Sequence, residues 1–355
     1  VTHVDVGTAA EVVIAGNPPA PAGIFDFSIE YPPGAPGGAL SYSAVESTSS
    51  IATRVAVSAD AGATWTYVGS VNQSTDLTIP VVSSSQKGCP GNSCAGRLIH
   101  EVSSIVYDAD DPDITRRWKI FTHSYLVGTG DALYRDLGYI GMYTAEEPIL
   151  PWTFEGKALG WNGESTFSSD GAFTNVNDIQ QLSDCLIVTE PGALWRPGGV
   201  IDLAVGCATA QPGFPIRVEL LRSFDHAQTW LYAGRLLEAS DSYCLGGTTD
   251  QINAADLFFA QGKSYLMATP AGTIPGFPEP GYRGCFVFPL EPGGSAITRD
   301  GNGAPVVTRA LDSSDGRFTG ACSVGEGASA LGYVVHELSE TPPPFRALRS
   351  DVAAP

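Results

Sequence analysis

The stretch SADAGATW (Ser58–Trp65) is written again, far downstream, as SFDHAQTW (Ser223–Trp230). Both read Ser-x-Asp-x-(Gly/Ala)-x-Thr-Trp. Each follows a run of alternating apolar and polar residues, RVAVS in the first case and IRVELLRS in the second. Alternation with a period of two marks a strand with one buried face. The pattern continues outward through RRWKIFTHSYLV, YIGMYTAEEP and GVIDLAVGCA, bounded by Gly, Pro, Asn and Asp, while helical periodicity is nearly absent. The 41 glycines and 26 prolines in 355 residues are scattered without a fixed period, which suits many short strands joined by tight turns. The expected fold class is all-β.

A larger unit repeats around the short phrase. A strand opening on small or polar residues, a turn and a second apolar strand recur in five copies, beginning near residues 23, 100, 188, 252 and 318. Each copy is followed by further strand material, such as IATRVAVSAD, LGYIGMYTAEE and IRVELLRSFD. One such ribbon cannot bury both of its faces, whereas ribbons packed radially bury one another. The expectation is a five-bladed β-propeller forming a single domain over 1–355, with room for a sixth blade in the 155–183 stretch. The early segment AEVVIAG (10–16) is expected to pair with the last blade and close the ring.

The repeated phrase resembles the Asp-box of sialidases and many other secreted propellers. Ser58, Asp60, Gly62, Thr64 and Trp65 match it throughout, and Ser223, Asp225, Thr229 and Trp230 match with Ala227 in place of Gly. The resemblance implies a hairpin turn between outer strands, away from any central pocket. Its Asp takes backbone N–H groups and its Trp packs between strands, so it holds a shape and carries no chemistry. The hairpin YTAEEPILPWTF, with Ala145, Pro148 and Trp152, resembles the outer-strand ending of five-bladed arabinanases and β-xylosidases of glycoside hydrolase family 43.

In a propeller the innermost strand of each blade lines the channel, so the residues opening each copy are the candidates for chemistry. They are Asp26 (IFDFS), His100 and Glu101 (IHEVS), Glu190 (VTEPG), Asp250, Gln251 and Asn253, and Arg317 and Thr319. Carboxylates in three successive copies resemble the family-43 arrangement. By that resemblance Asp26 is the general base and Glu190, in TEPGALW, the general acid. Glu101 is the tuning carboxylate, with Glu where Asp is usual. Such a pair suits glycosidic cleavage: one protonated carboxyl donates to the leaving oxygen while an ionised one acts on water. His100, Trp195, Asp250, Gln251 and Arg317 are the expected substrate contacts, Trp195 by stacking on a sugar face.

The implied activity is that of a secreted or periplasmic glycoside hydrolase acting, with inversion, on a plant or algal polysaccharide or oligosaccharide. Two alternatives stand beside it: a non-catalytic propeller that binds carbohydrate or protein, and a sialidase-like exo-glycosidase. The latter would draw on Arg97, Arg196, Arg283 and Arg317, but the Arg-Ile-Pro phrase of sialidases is missing. A net charge of −19 with four lysines argues against nucleic acid and anionic membrane surfaces as partners. No apolar run approaches a membrane span. Of seven cysteines, Cys89 and Cys94 in GCPGNSCAG are spaced to close a small disulfide loop, and an odd count leaves at least one thiol over. No cofactor is expected, a structural Ca2+ apart, and no metal site follows from ligand spacing. The run YDADDPD (Asp108, Asp110, Asp111, Asp113) resembles a calcium loop only loosely and reads as an exposed turn. His123, His226 and His336 have no partner at ligand spacing.

Overall fold

The computed structural model describes all residues except 6–9, 48–49, 81–92, 129–132, 150, 162–171, 273–280, 313–317, 325–330, 337–344 and 351–355. Three short strands open the chain: β1 (Thr2–Asp5), β2 (Ala10–Glu11) and β3 (Ile14–Ala15). The first sheet contains β4 (Ile24–Glu30), β5 (Gly38–Ser47), β6 (Ser50–Ser58) and β7 (Trp65–Ser70). The second runs through β8 (Thr75–Pro80), β9 (Ser93–Tyr107), β10 (Trp118–Gly128), β11 (Leu133–Ala145), β12 (Thr153–Gly160) and β13 (Ala172–Asn175). The third holds β14 (Cys185–Arg196), β15 (Val200–Thr209), β16 (Ile216–Ser223) and β17 (Leu231–Leu237). In the fourth are β18 (Ile252–Ala260), β19 (Lys263–Gly272), β20 (Gly281–Tyr282), β21 (Cys285–Pro289) and β22 (Arg309–Asp312). The last sheet has β23 (Phe318–Val324), β24 (Leu331–His336) and β25 (Phe345–Ser350). The sheets are arranged as a propeller, and the described residues of the 155–183 stretch add to β12 and β13 of the second sheet and form no sheet of their own.

The hydrophobic clusters lie between sheets, as radial packing requires. Ala39 and Val55 of the first sheet meet Ile105, Trp118 and Ile120 of the second. Phe121 and Met142 of the second meet Val188 and Leu203 of the third. Leu194 and Leu220 pack on Leu257 and Phe288, and Phe258 and Met267 on Val324 and Leu348. Ala347 of the last sheet joins Phe27 and Tyr42 of the first. Each buried Leu, Ile, Val or Phe contributes about 1.5–3 kcal/mol, and none of it is available to a sheet standing alone.

The chain start stitches the ring. β1 pairs with β22, β2 with β25 and β3 with β7, so the three opening strands touch the fourth, last and first sheets in turn. The expected closure by AEVVIAG is therefore found, and it extends one sheet further on each side. A disulfide between Cys285 of β21 and Cys322 of β23 ties the fourth sheet to the last, and Cys185–Cys207 joins β14 to β15. Cys94 is also disulfide-bonded, whereas Cys89 lies outside the described residues. Cys244 is free and exposed. Among the described residues no helix is long and apolar enough to cross a membrane.

Both repeated phrases form the same turn. Ser58 Oγ accepts from Gly62 N at 2.8 Å, and Asp60 accepts from Thr64 N at 2.8 Å and Thr64 Oγ1 at 2.7 Å. Ser223 accepts from Ala227 N at 2.9 Å, and Asp225 from Thr229 N and Oγ1 at 2.8 and 2.6 Å. These bonds hold the Asp60 carboxyl at a pKa of about 2. Gly62 has φ +80°, and Ala227 takes a similar left-handed φ of 68° despite its β-carbon, which is why the second copy tolerates the exchange at some cost. Trp65 and Trp230 are buried, the latter edge-on to Phe121 at 5.6 Å.

The acidic run is only in part the exposed turn expected: Asp110 and Asp113 are exposed. Asp108 and Asp111 are buried, and the fully buried Lys119 ammonium lies 3.4 Å from Asp108 and 2.6 Å from Asp111. His226 Nδ1 is 2.8 Å from Asp108, so the three side chains have the composition of a metal site. Lys119 already neutralises them from within, and it also donates to the Arg116 carbonyl. Asp110 accepts from Gly198 N at 2.5 Å and Gly199 N at 3.3 Å, on the β14–β15 turn. The run is thus a clasp that fastens the second sheet to the third and to the second Asp-box.

Candidate active site

The innermost strands β4, β9, β14, β18 and β23 share one irregularity. Their pairing to the next strand slips after Phe25, Glu101, Thr189, Asn253 and Gly320, respectively. At each slip one residue adopts a left-handed backbone: Asp26 (φ 51°), Val102 (47°), Glu190 (51°), Ala254 (49°) and Ala321 (52°). Such a conformation costs a non-glycine residue about 1–2 kcal/mol. A bulge re-aims the side chain that bears it, and here it recurs once in every sheet. Five equivalent positions follow, and two of them carry carboxyls, Asp26 and Glu190.

The second position after each bulge forms an inner ring. Ser28 Oγ accepts from Ile105 N at 3.0 Å, Ser104 Oγ from Ala193 N at 2.8 Å, and Ser323 Oγ from Ile29 N at 3.2 Å. In each bond a hydroxyl of one sheet holds the innermost strand of a neighbouring sheet. At the corresponding place in β14 stands Gly192, where a β-carbon would collide with the Ala255 carbonyl. The missing side chain lets β14 approach β18, and there Glu190 accepts a hydrogen bond from Ala254 N. The Pro191-Gly192 pair that follows Glu190 therefore has a positional reason. The fifth member is Asp256, whose Oδ1 accepts from Leu257 N at 3.0 Å.

A small cavity on the axis is lined by Asp26, Ser28, Ser103, Pro191, Asp256 and Cys322, among others. Asp26 is 4 % exposed, and among the described residues neither of its carboxyl oxygens has a hydrogen-bond partner. Burial first, then the charges of Glu190 and Glu101, push its pKa well above the ordinary carboxylate range. The three acids distant in sequence are thus electrostatically coupled at one place.

Glu101 does not occupy the position expected of it. Val102 bears the bulge, and Glu101 stands one residue earlier, half-buried and opposite His123 in the β9–β10 register. It reaches the site through its charge on Asp26. His100 is packed, not presented: it is 4 % exposed, its Nδ1 lies 2.7 Å from Ser124 Oγ, and burial lowers its pKa to about 4. Trp195 lies five residues beyond Glu190, toward the other end of β14, against the core between the second and third sheets. Gln251 precedes β18 and spends its amide on the carbonyls of Gly213 (3.0 Å) and Phe214 (3.1 Å). Asp250 lies beside it, its carbonyl accepting from Ile216 N at 2.8 Å. Arg317 lies outside the described residues.

Two residues of the site escaped the sequence reading. Asp256 lies in NAAD, two residues after a bulge that only strand pairing reveals. His123 is buried on β10, and its Nδ1 is 2.9 Å from Thr189 Oγ1, so it braces the residue immediately before Glu190.

No family model and no curated protein matches the sequence. Solved structures do match in fold. The native arabinanase of Bacillus subtilis superposes with a TM-score of 0.52 at 13 % identity, covering 92 % of this chain and 93 % of that one. The family-43 endo-arabinanase of Bacillus licheniformis gives 0.52 at 14 % identity, covering 94 % of each. A β-fructofuranosidase of Bombyx mori gives 0.53 at 13 % identity, covering 93 % of this chain and 60 % of that one. This chain is a β-propeller. Its likeness to these glycoside hydrolases is one of architecture, and the chemistry must be argued from the axial carboxyls themselves.

Proposed function

We propose that the protein is a secreted or periplasmic glycoside hydrolase, a single five-bladed propeller domain in which each sheet is one blade. Its substrate is an oligosaccharide or polysaccharide of plant or algal type. One observation carries the reading. Asp26 and Glu190 occupy the same left-handed bulge in two innermost strands, and Glu190 is among the charges that raise the pKa of buried Asp26. The two carboxyls oppose each other's ionisation and so hold one proton between them. The reaction runs from the form with that proton on Glu190, in which Asp26, ionised, takes a proton from a water whose oxygen bonds to the anomeric carbon. The glycosidic C–O bond breaks, and Glu190, protonated, gives its proton to the leaving oxygen. One proton enters the carboxyl group set and one leaves it, so the site returns to its charge state after proton exchange with water. A base with its pKa raised toward the working pH is a stronger base, which suits Asp26. The hydrogen bond from Ala254 N fixes the orientation of the Glu190 carboxyl. Glu101 adds negative charge that helps keep a proton in the site. Attack by water on the face opposite the leaving group inverts the anomeric centre.

The test is release of reducing ends from a panel of arabinans, xylans, mannans and fructans, with the anomer formed first read by NMR. Wild type is expected to release sugar, and Asp26→Asn and Glu190→Gln to lose at least about a hundredfold, the lower range for one acid–base group. Full activity in either variant would remove that residue from the mechanism. A second reading, a non-catalytic carbohydrate-binding propeller, draws support from the burial of Asp26. It predicts sugar binding with no product from any substrate.

A further inference from the structure

Phe214 stands in the turn between β15 and β16 with 54 % of its surface exposed. Its backbone is as unusual as its exposure. It has a left-handed φ of 48° although it is a bulky residue and immediately precedes Pro215, whose ring further narrows its choices. Strain of this kind persists only where the surroundings enforce it, and here they do. Phe214 N donates to the Gln211 carbonyl at 3.0 Å, and Gln251 Nε2 donates to the carbonyls of both Gly213 and Phe214. On the far side Thr209 N donates to the Pro215 carbonyl at 3.0 Å. An apolar ring is therefore held out toward solvent on a braced support.

The position of the turn gives this ring a purpose. β14 begins at Cys185, opposite Thr209 at the end of β15, so the turn lies at the end of the third sheet from which the chain runs down to Glu190. Four register steps along the strand and one and a half strand spacings across place Phe214 roughly 15 Å from the Glu190 backbone. A few linked sugar rings span that distance. Tyr243, 52 % exposed, stands in the connection leading to β18, on the same rim.

We infer that Phe214 is a stacking platform for one ring of a bound oligosaccharide, a subsite remote from the cleavage point. The inference rests on the glycosidase reading for its ligand class. Sugar rings present an apolar C–H face that an aromatic face complements, and a pre-braced ring loses little freedom on binding.

The test uses titration calorimetry on the Glu190→Gln protein with dimers and hexamers of linear arabinan, xylan, mannan and inulin-type fructan. In the series that binds, the hexamer is expected to bind about tenfold more tightly than the dimer, the size of one aromatic contact. Adding Phe214→Ala should bring that ratio close to one, and Phe214→Tyr should restore it. An unchanged ratio in the Phe214→Ala protein, with an unchanged melting temperature, overturns the platform. If wild type hydrolyses the series while the ratio is unchanged, the platform alone falls. If no series is bound or hydrolysed, the glycosidase reading falls with it.

Discussion

Replacing Asp26 by Asn should stabilise the protein at neutral pH, the reverse of what a buried polar substitution usually does. Asp26 is almost wholly buried, its oxygens have no hydrogen-bond partner among the described residues, and two other carboxylates face it. An ionised group in such a place costs several kcal/mol after relaxation. An amide with unmade hydrogen bonds costs about 1–3 kcal/mol, so the exchange should gain about 2 kcal/mol. Unfolding entropy of about 2.1 cal/mol/K per residue over 355 residues amounts to roughly 0.75 kcal/mol/K, so Tm should rise by about 3 °C. The pH dependence supplies the sharper test. The folded pKa of Asp26 lies above its ordinary value of 3.8, so between the two values the folded protein holds a proton that the unfolded chain has released. Stability therefore falls as pH rises through that window and stays lower above it. Below it, Asp26 is protonated in both states and the gain from Asn should vanish. Scanning calorimetry of both proteins from pH 3 to pH 8 reads this directly. A substituted protein that is less stable at pH 7, or a gap that does not change with pH, would refute the assignment of Asp26 as a buried, strained acid.

Three further outcomes follow. Lys119→Met leaves Asp108 and Asp111 buried without their ammonium and should cost about 3–5 kcal/mol, lowering Tm by about 4–7 °C. That loss should shrink at low pH: Lys119 holds the Asp111 pKa down, so the stabilisation is present above the ordinary carboxylate range and lost as pH falls through the folded value. The pH profile of hydrolysis should have its acidic limb above the ordinary carboxylate range, because Asp26 must be ionised to act as base, and Glu101→Gln should move that limb to lower pH by removing a charge that raises Asp26. Initial rates across pH measure it, and an unmoved limb would detach Glu101 from the site. Ser104→Ala should cost about 1–3 kcal/mol by leaving the buried N–H of Ala193 without its acceptor. Chemical denaturation at pH 7 reads that loss.

The sequence carried the architecture further than it carried the site. The Asp-box could be read because all its bonds join residues two to four apart, so the pattern of residue types is the structure. The starts of the inner strands were visible for a similar reason, since alternation and turn residues are local. The bulges were not. Each exists only as a slip against a partner strand, and that slip decides whether Glu101 or Val102 takes the equivalent position. One residue of register turned an expected triad into a pair with an offset third acid. The acidic run misled for a related reason. Lys119 reaches it from β10, and Gly198, Gly199 and His226 from another sheet, so its composition reads as solvated until those neighbours are in place. Gln251 sat on the expected rim, but its amide serves the Phe214 turn, a contact no spacing announces.

The pairing of Asp26 with Glu190 is tested most directly by comparing leaving groups. Glu190→Gln should lose cleavage of an unactivated oligosaccharide yet keep much of its rate on the 4-nitrophenyl glycoside of the same sugar, whose leaving oxygen needs no proton. Asp26→Asn should lose both, with azide restoring the second by standing in for the activated water. Equal losses on the two substrates in the Glu190→Gln protein, or a wild type inert to both, would contradict the acid–base pair at the axis.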